Sequence, residues 1–171
     1  MVLNPRGFGA GTIRRATAFD APWLRETGAE VYAAFGDYRS ILPSWLHHPG
    51  VLTFVEEDKH HEPRGFILLG FYEPSDMPPV TYVADLLAIA VAPAHQNKGI
   101  GTRLLSYAVD LATTAGLRTA VSEMRLTVAH TNVGALKLFA RHGFEVLDNH
   151  HGAYDGGQRA IRMRRRFRRS T

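Results

Sequence analysis

Between residues 85 and 115 the apolar positions change period. Residues 85–91 (DLLAIAV) form an apolar run with no polar residue after Asp85 and with Pro93 just beyond it, which predicts a short strand covered on both faces. Beyond Gln96-Asn97-Lys98-Gly99-Ile100-Gly101, residues Leu104, Leu105, Ala108, Leu111 and Ala112 recur at helical spacing, and Gly116 is placed to give that helix a left-handed exit. Strand, glycine loop and helix in this order form the centre around which the other elements can be arranged.

Elsewhere the pattern predicts a first strand over residues 12–16, then a helix capped by Asp20 with Pro22 in its first turn and Trp23, Leu24, Thr27, Val31 and Phe35 on one face. Residues 40–48 read as a short helical piece interrupted by Pro43, with Trp45 either in the core or on a pocket wall. Two strands, 51–56 and 64–72, flank the polar turn DKHHEP as a hairpin, and a Pro-rich loop leads to a long strand over 80–91. In the strand 124–128 apolar Met124, Leu126 and Val128 alternate with polar Glu123, Arg125 and Thr127, which predicts a half-wet face bordering a cleft. A helix over 132–142 stops at Gly143, and 144–147 pairs with 159–167 as a last hairpin. The sum is an α+β chain with about seven strands and about four helices.

The glycine loop carries candidate chemistry. The first N–H groups of a helix lack intrahelical acceptors and sit at the positive end of its dipole, so the backbone from Lys98 to Thr102 can hold a phosphate, with Gly99 and Gly101 allowing close approach. A dinucleotide fingerprint would need glycine at 104, which is Leu104, and a P-loop would need Gly-Lys-Ser/Thr after four spacers; neither is present.

With 171 residues the chain suits one domain, 1–171, able to bury about 70% of its unfolded surface, with a loose N-terminus over 1–11 and a tail over 168–171. It has no cysteine, hence no disulfide or thiolate metal site, and it shows neither a signal peptide nor a membrane-length apolar run. The expectation is a cytoplasmic protein without a membrane partner. The net charge of +4 is concentrated in Arg162, Arg164, Arg165, Arg166, Arg168 and Arg169. No aromatic stacking pattern interleaves them, so they read as a solvated final strand and tail, and nucleic acid is not the expected partner. The pairs His47-His48, His60-His61 and His150-His151 fit no ligand spacing, so no metal is expected and the histidines are assigned to loops and surface.

Two ordered motifs carry a family resemblance. Ile89-Ala90-Val91, Pro93 and Gln96-x-x-Gly99-x-Gly101 before an amphipathic helix resemble the central motif of the GNAT N-acetyltransferase superfamily. Downstream, Asn132-x-x-Ala135-x-x-Leu138-Phe139 running into His142-Gly143-Phe144 is similar to that superfamily's second signature except at Phe139, and the likeness spans roughly residues 12–167. It implies a three-layer fold with a mixed, mostly antiparallel central sheet, splayed between the parallel strands at 85–91 and 124–128, where acetyl-CoA enters.

The resemblance also implies roles. The backbone of Lys98, Gly99, Ile100, Gly101 and Thr102, with Asn97 beside it, would hold the diphosphate, and Ile89, Ala90 and Val91 would pair with the pantetheine arm. A strand N–H would face the thioester carbonyl, a contribution of roughly 3 kcal/mol where comparable donors are removed. Asn132 would bond the cofactor or simply cap its helix, and Phe139 would pack on the arm. Asp85 occupies the place of a carboxylate that activates the acceptor amine in lysine acetyltransferases; it also fits a strand-end Asp bonded to loop backbone. Two positions depart from the pattern. Phe139 replaces the tyrosine that usually protonates the leaving thiolate, leaving water, Tyr82 or Tyr154 to do so. Thr127 stands where ribosomal-protein N-terminal acetyltransferases, distantly resembled by Tyr154-Asp155-Gly156…Ala160-x-x-Met163, usually carry a glutamate. The implied activity is acetyl transfer from acetyl-CoA to a primary amine, on a small molecule, a peptide N-terminus or a lysine. The alternative is a catalytically idle acyl-CoA-binding domain. A homodimer is left open.

Overall fold

The computed structural model describes residues 11–167. The loose N-terminus and the tail, with Arg168 and Arg169, lie outside them apart from Gly11. In chain order the elements are β1 (Thr12–Arg15), a 3-10 turn at Ala18–Asp20, α1 (Ala21–Val31), α2 (Tyr38–Leu46), β2 (Val51–Glu57), β3 (Pro63–Tyr72) and β4 (Tyr82–Val91). A second 3-10 turn at Pro93–His95 precedes α3 (Ile100–Arg118), β5 (Val121–Ala129), α4 (Val133–Arg141), β6 (Glu145–Asp148) and β7 (Ala160–Arg166). The strands form one sheet in the order β1-β2-β3-β4-β5-β7-β6, in which β4 and β5 are parallel and the other neighbours antiparallel. This is the mixed α+β sheet with four helices that the pattern predicts.

Two apolar clusters make three layers. On one face Leu104, Leu105, Ala108 and Ala112 of α3 and Phe139 of α4 pack with Ile67, Leu69, Leu86, Met124 and Leu126. On the other, Leu24 of α1 and Leu42 of α2 pack with Val55, Phe66, Leu68, Ala88 and Ala90. Each fully buried leucine contributes about 1.5–3 kcal/mol, so the helical stripes seen in the sequence dock the helices.

One irregularity positions everything that follows. β3 pairs Leu69 with Leu86 but Leu68 with Ala88, so Leu87 is an extra residue in β4. A bulge of this kind bends its strand and increases the local twist. The β4–β5 ladder accordingly ends at Leu86↔Leu126, whereas β3–β4 pairing continues to Gly65↔Val91. Beyond Leu86, β4 turns away from β5 and leaves a wedge open at its C-terminal end.

Several expectations are corrected. Gly116 does not end α3, which runs to Arg118; a Cβ there would stand 2.7 Å from the Val121 carbonyl oxygen, so the glycine serves the close return of the chain. Pro43 lies inside α2 without interrupting it. Asp20 holds the N-cap position of α1 but makes no side-chain cap bond there; its carboxylate accepts from the Thr17 N–H at 2.7 Å and from Arg14, completing a capping box on the 3-10 turn that Thr17 begins. Phe35 falls after α1 has ended. Glu123 and Arg125 of β5 are buried, since Arg125 Nε donates to Glu123 at 2.6 Å and Nη1 to Asp76 at 2.9 Å; only Thr127 of that face is exposed. Trp45 takes its core alternative, partly buried against the α1–α2 cluster and edge-on to Tyr38.

Candidate functional site

The wedge opens into two adjoining cavities. The outer one, about 360 Å³, is lined by Ile89, Ala90 and Val91 of β4, Asn97, Gly99, Ile100, Gly101 and Thr102 at the start of α3, and Asn132, Ala135, Leu138 and Phe139 around the start of α4. The inner one, about 70 Å³, lies deeper between Leu86–Ile89 and Leu126–Ala129 and is closed by Tyr32, Phe35, Tyr38 and Tyr154. Ile89, Asn132, Ala135 and Phe139 line both.

Local chemistry explains the mouth. Asn97 and Gly99 have positive φ, 61° and 77°, which turns the chain sharply into α3 and makes Gly99 its left-handed N-cap. The first helical bond runs from the Arg103 N–H to the Gly99 carbonyl at 3.1 Å, so the N–H groups of Ile100, Gly101 and Thr102 precede the intrahelical ladder. A Cβ on Gly101 would meet Leu138 and Val91 only at 3.7 and 3.9 Å, so the space there is open. Arg103 donates to the buried Glu56 at 2.7 Å, and Arg64 reaches the same oxygen at 2.8 Å, tying the first turn of α3 to β2 and β3. Open anion-facing backbone on a braced helix fits a diphosphate.

Ten of the sequence-selected residues therefore come together, while Lys98 and Asp85 do not join them. Lys98 turns its amine onto the Ala94 carbonyl at 3.0 Å. Asp85 sits at the closed end of the wedge, opposite Arg125 and one residue before the last β4–β5 pair. Burial pushes its carboxyl above the ordinary range, opposed by Arg162, Arg125 and His151. Arg162 stands 3.5 Å from it and spends shorter bonds on Tyr72 (2.6 Å) and His151 (2.8 Å), so the pairing is too long to cancel desolvation.

Asn132 caps α4, its Oδ1 accepting from the Ala135 N–H at 3.2 Å, which leaves its amide NH₂ for the cleft. Phe139 is buried, edge-on to Phe144, with the rest of its ring on the cleft floor. Tyr154 lines the inner cavity, and burial raises its phenol; Tyr82 opens β4 at the end opposite the wedge and does not meet it.

Three contributors were missed from sequence. Arg103 had a signal, a cation one turn into a helix that follows a glycine loop. Arg162 had a partial one: the arginines of β7 read as solvated, yet Arg162 bonds Tyr72, Arg164 bonds Glu145 at 3.0 Å and Arg165 bonds the His142 carbonyl at 2.7 Å. Tyr32 had none. Its hydroxyl donates to the Ile89 carbonyl at 2.6 Å and accepts from the Ile89 N–H at 2.9 Å, a meeting set by how α1 crosses β4.

Residues of the three histidine pairs are all exposed, and among the described residues no three His, Asp or Glu side chains are placed to share a metal ion. No helix among them is long and apolar enough to cross a membrane.

The profile of the acetyltransferase (GNAT) family matches residues 15–144. No curated protein sequence matches the chain. The ribosomal-protein-S18-alanine N-acetyltransferase from Escherichia coli superposes with a TM-score of 0.72 at 22% identity, over 94% of this chain and 96% of that one. NAA60 of Arabidopsis thaliana, solved with a bisubstrate analogue, superposes at 0.76 and 14% identity, over 93% and 99%. Spermidine N-acetyltransferase from Vibrio cholerae, solved with CoA and spermine, superposes at 0.67 and 20% identity, over 90% and 93%. At these identities the likeness is one of fold.

Proposed function

Since the chain belongs to the GNAT acetyltransferase family, we propose that it transfers the acetyl group of acetyl-CoA directly to a primary amine within the β4–β5 wedge. The observation that carries this reading is the continuity of the wedge. One cavity is lined by both the β4 backbone that has left β5 and the open N-terminus of α3. The thioester supplies an activated acyl group; the chain's residues bind, orient and move protons.

The N–H groups of Ile100, Gly101 and Thr102, with Gly99, hold the diphosphate, and Ile89 and Val91 offer strand-type pairing to the pantetheine arm. Asn132 adds its free amide protons, and Phe139 packs on the arm. Asp85, with its raised pKa, takes the proton of the acceptor ammonium through water, because it stands beyond the inner cavity and not in its lining. The leaving thiol has a pKa near that of free cysteine, about 8.5, so the reaction tolerates phenylalanine at 139. The acceptor, a small amine or a peptide or protein amine, enters between the turn after α1 and the loop carrying Tyr154.

The test is turnover. Purified protein with acetyl-CoA is screened against amines and peptides while released CoA is read; acceptor-dependent release is expected. Tight acetyl-CoA binding with no acceptor-dependent release would instead identify an idle acyl-CoA-binding domain.

A further inference from the structure

A backbone amide on the wall of the wedge needs a partner wherever water does not reach it, because an unpaired buried N–H or carbonyl costs as much as a lost hydrogen bond. β5 cannot supply one at Ile89, since the ladder has already ended at Leu86↔Leu126. One phenol satisfies both groups: Tyr32 accepts from the Ile89 N–H at 2.9 Å and donates to its carbonyl at 2.6 Å. The same two groups are those assigned above to the arm of acetyl-CoA, and an N–H has a single proton to give. Tyr32 and the arm therefore compete.

The setting of Tyr32 suits a side chain that yields. It is the first residue past the end of α1, at the start of the turn leading to α2. Its ring stacks on Tyr38, centroids 4.4 Å apart, and Phe35 of the same turn lies 5.5 Å from Tyr154. All four aromatic rings close the inner cavity. A movement that frees Ile89 thus reshapes the cavity that takes the acceptor.

We propose that Tyr32 is a displaceable plug: its hydroxyl holds the Ile89 backbone in the free enzyme, acetyl-CoA expels it, and the acceptor cavity takes its working shape only after that exchange. The proposal rests on the placement of acetyl-CoA in the wedge. It requires ordered binding, acetyl-CoA first. Burial keeps the phenol protonated across the working pH range, so the plug is available throughout.

The experiment compares wild type with Tyr32→Phe in the full chain, by calorimetric titration with acetyl-CoA and by thermal unfolding. Phenylalanine keeps the ring but leaves Ile89 unpaired in the free protein, so unfolding shifts to lower temperature while acetyl-CoA binds about tenfold tighter, as expected when two neutral hydrogen bonds no longer compete. Unchanged or weaker affinity in a folded variant overturns the plug and leaves the site standing. A wild type that does not bind acetyl-CoA overturns the site reading, and the plug with it. Should the variant not fold, 3-fluorotyrosine placed at position 32 decides: its ¹⁹F resonance moves to a new position that saturates with acetyl-CoA if the plug is expelled, and an unmoved resonance overturns it.

Discussion

Asp20, at the β1 edge of the sheet, and Asp85, at the closed end of the wedge, are both shielded carboxylates facing arginine, and they are held in opposite ways. Asp20 receives two bonds from Arg14, at 2.8 and 2.9 Å, and one from the Thr17 N–H, and Arg14 above all lowers its pKa from 3.8 to about 2. Asp85 has Arg162 at 3.5 Å, and burial raises its pKa. Glycines divide the same way. A Cβ on Gly65 of β3 would press on Leu104 at 2.9 Å and the Ala90 carbonyl at 3.0 Å, whereas Gly101 has room. One carboxylate of the pair is neutralised and one glycine is packed against its neighbours; Asp85 keeps a carboxyl without a close partner and Gly101 keeps open space, the two features on which the proposed chemistry draws.

Substituting the open glycine should give the largest effect. Gly101→Glu fits sterically but sets a carboxylate among the N–H groups of α3, so acetyl-CoA affinity should fall by more than about 10³-fold while thermal unfolding stays near wild type. Calorimetry showing retained affinity in the folded variant would remove the wedge mouth from the binding site.

The two carboxylates should then separate by the sign of their effect. Asp85→Asn should lower the rate about 10²-fold and abolish the acidic limb of the pH–rate profile, leaving acetyl-CoA binding intact. Its folded pKa is raised, so the stability linked to Asp85 is present below the unfolded value and lost as pH rises through the folded one. The asparagine variant escapes that loss and should melt at a higher temperature than wild type at pH 7. Asp20→Asn should do the reverse, keeping the rate and costing on the order of 2 kcal/mol in urea unfolding at pH 7. Because the folded pKa of Asp20 is depressed, that contribution is full above the unfolded value of about 3.8 and fades as pH falls toward about 2. If both variants destabilise alike and neither changes the pH profile, Asp85 is a structural carboxylate too.

The smallest effect is expected at the cleft floor. Phe139→Tyr adds one hydroxyl at the position where the family resemblance implies an acid, and steady-state rates should stay within about threefold of wild type or rise by that much, with acetyl-CoA affinity unchanged. A large loss of affinity would show that the ring edge is needed against Phe144 and that the floor cannot accept a polar atom.

Local pattern sufficed for much of this molecule because its physical causes are local. Helical stripes at Leu104, Leu105, Ala108 and Ala112, the cap at Asn132 and the helix stop before Gly143 each depend on neighbours a few residues away. The glycine loop belongs with them, since a helix start presents its N–H groups wherever it is placed. What the sequence could not fix were contacts between distant segments. Glu123 and Arg125 look half-wet in a strand pattern and are buried because each finds its partner, Asp76 reaching in from a loop far off in sequence. Gly116 looks like a helix stop and is a contact with Val121. The bulge at Leu87 leaves no mark in an unbroken apolar run, yet it decides where β4 leaves β5. Tyr32 meets Ile89 across 57 residues, and that geometry comes only from α1 crossing the sheet. Sequence by itself determined the elements and the open helix start after the glycine loop; tertiary structure decided which charges are spent on stability, where the wedge opens, and what fills it, because burial and pairing are properties of the assembled chain.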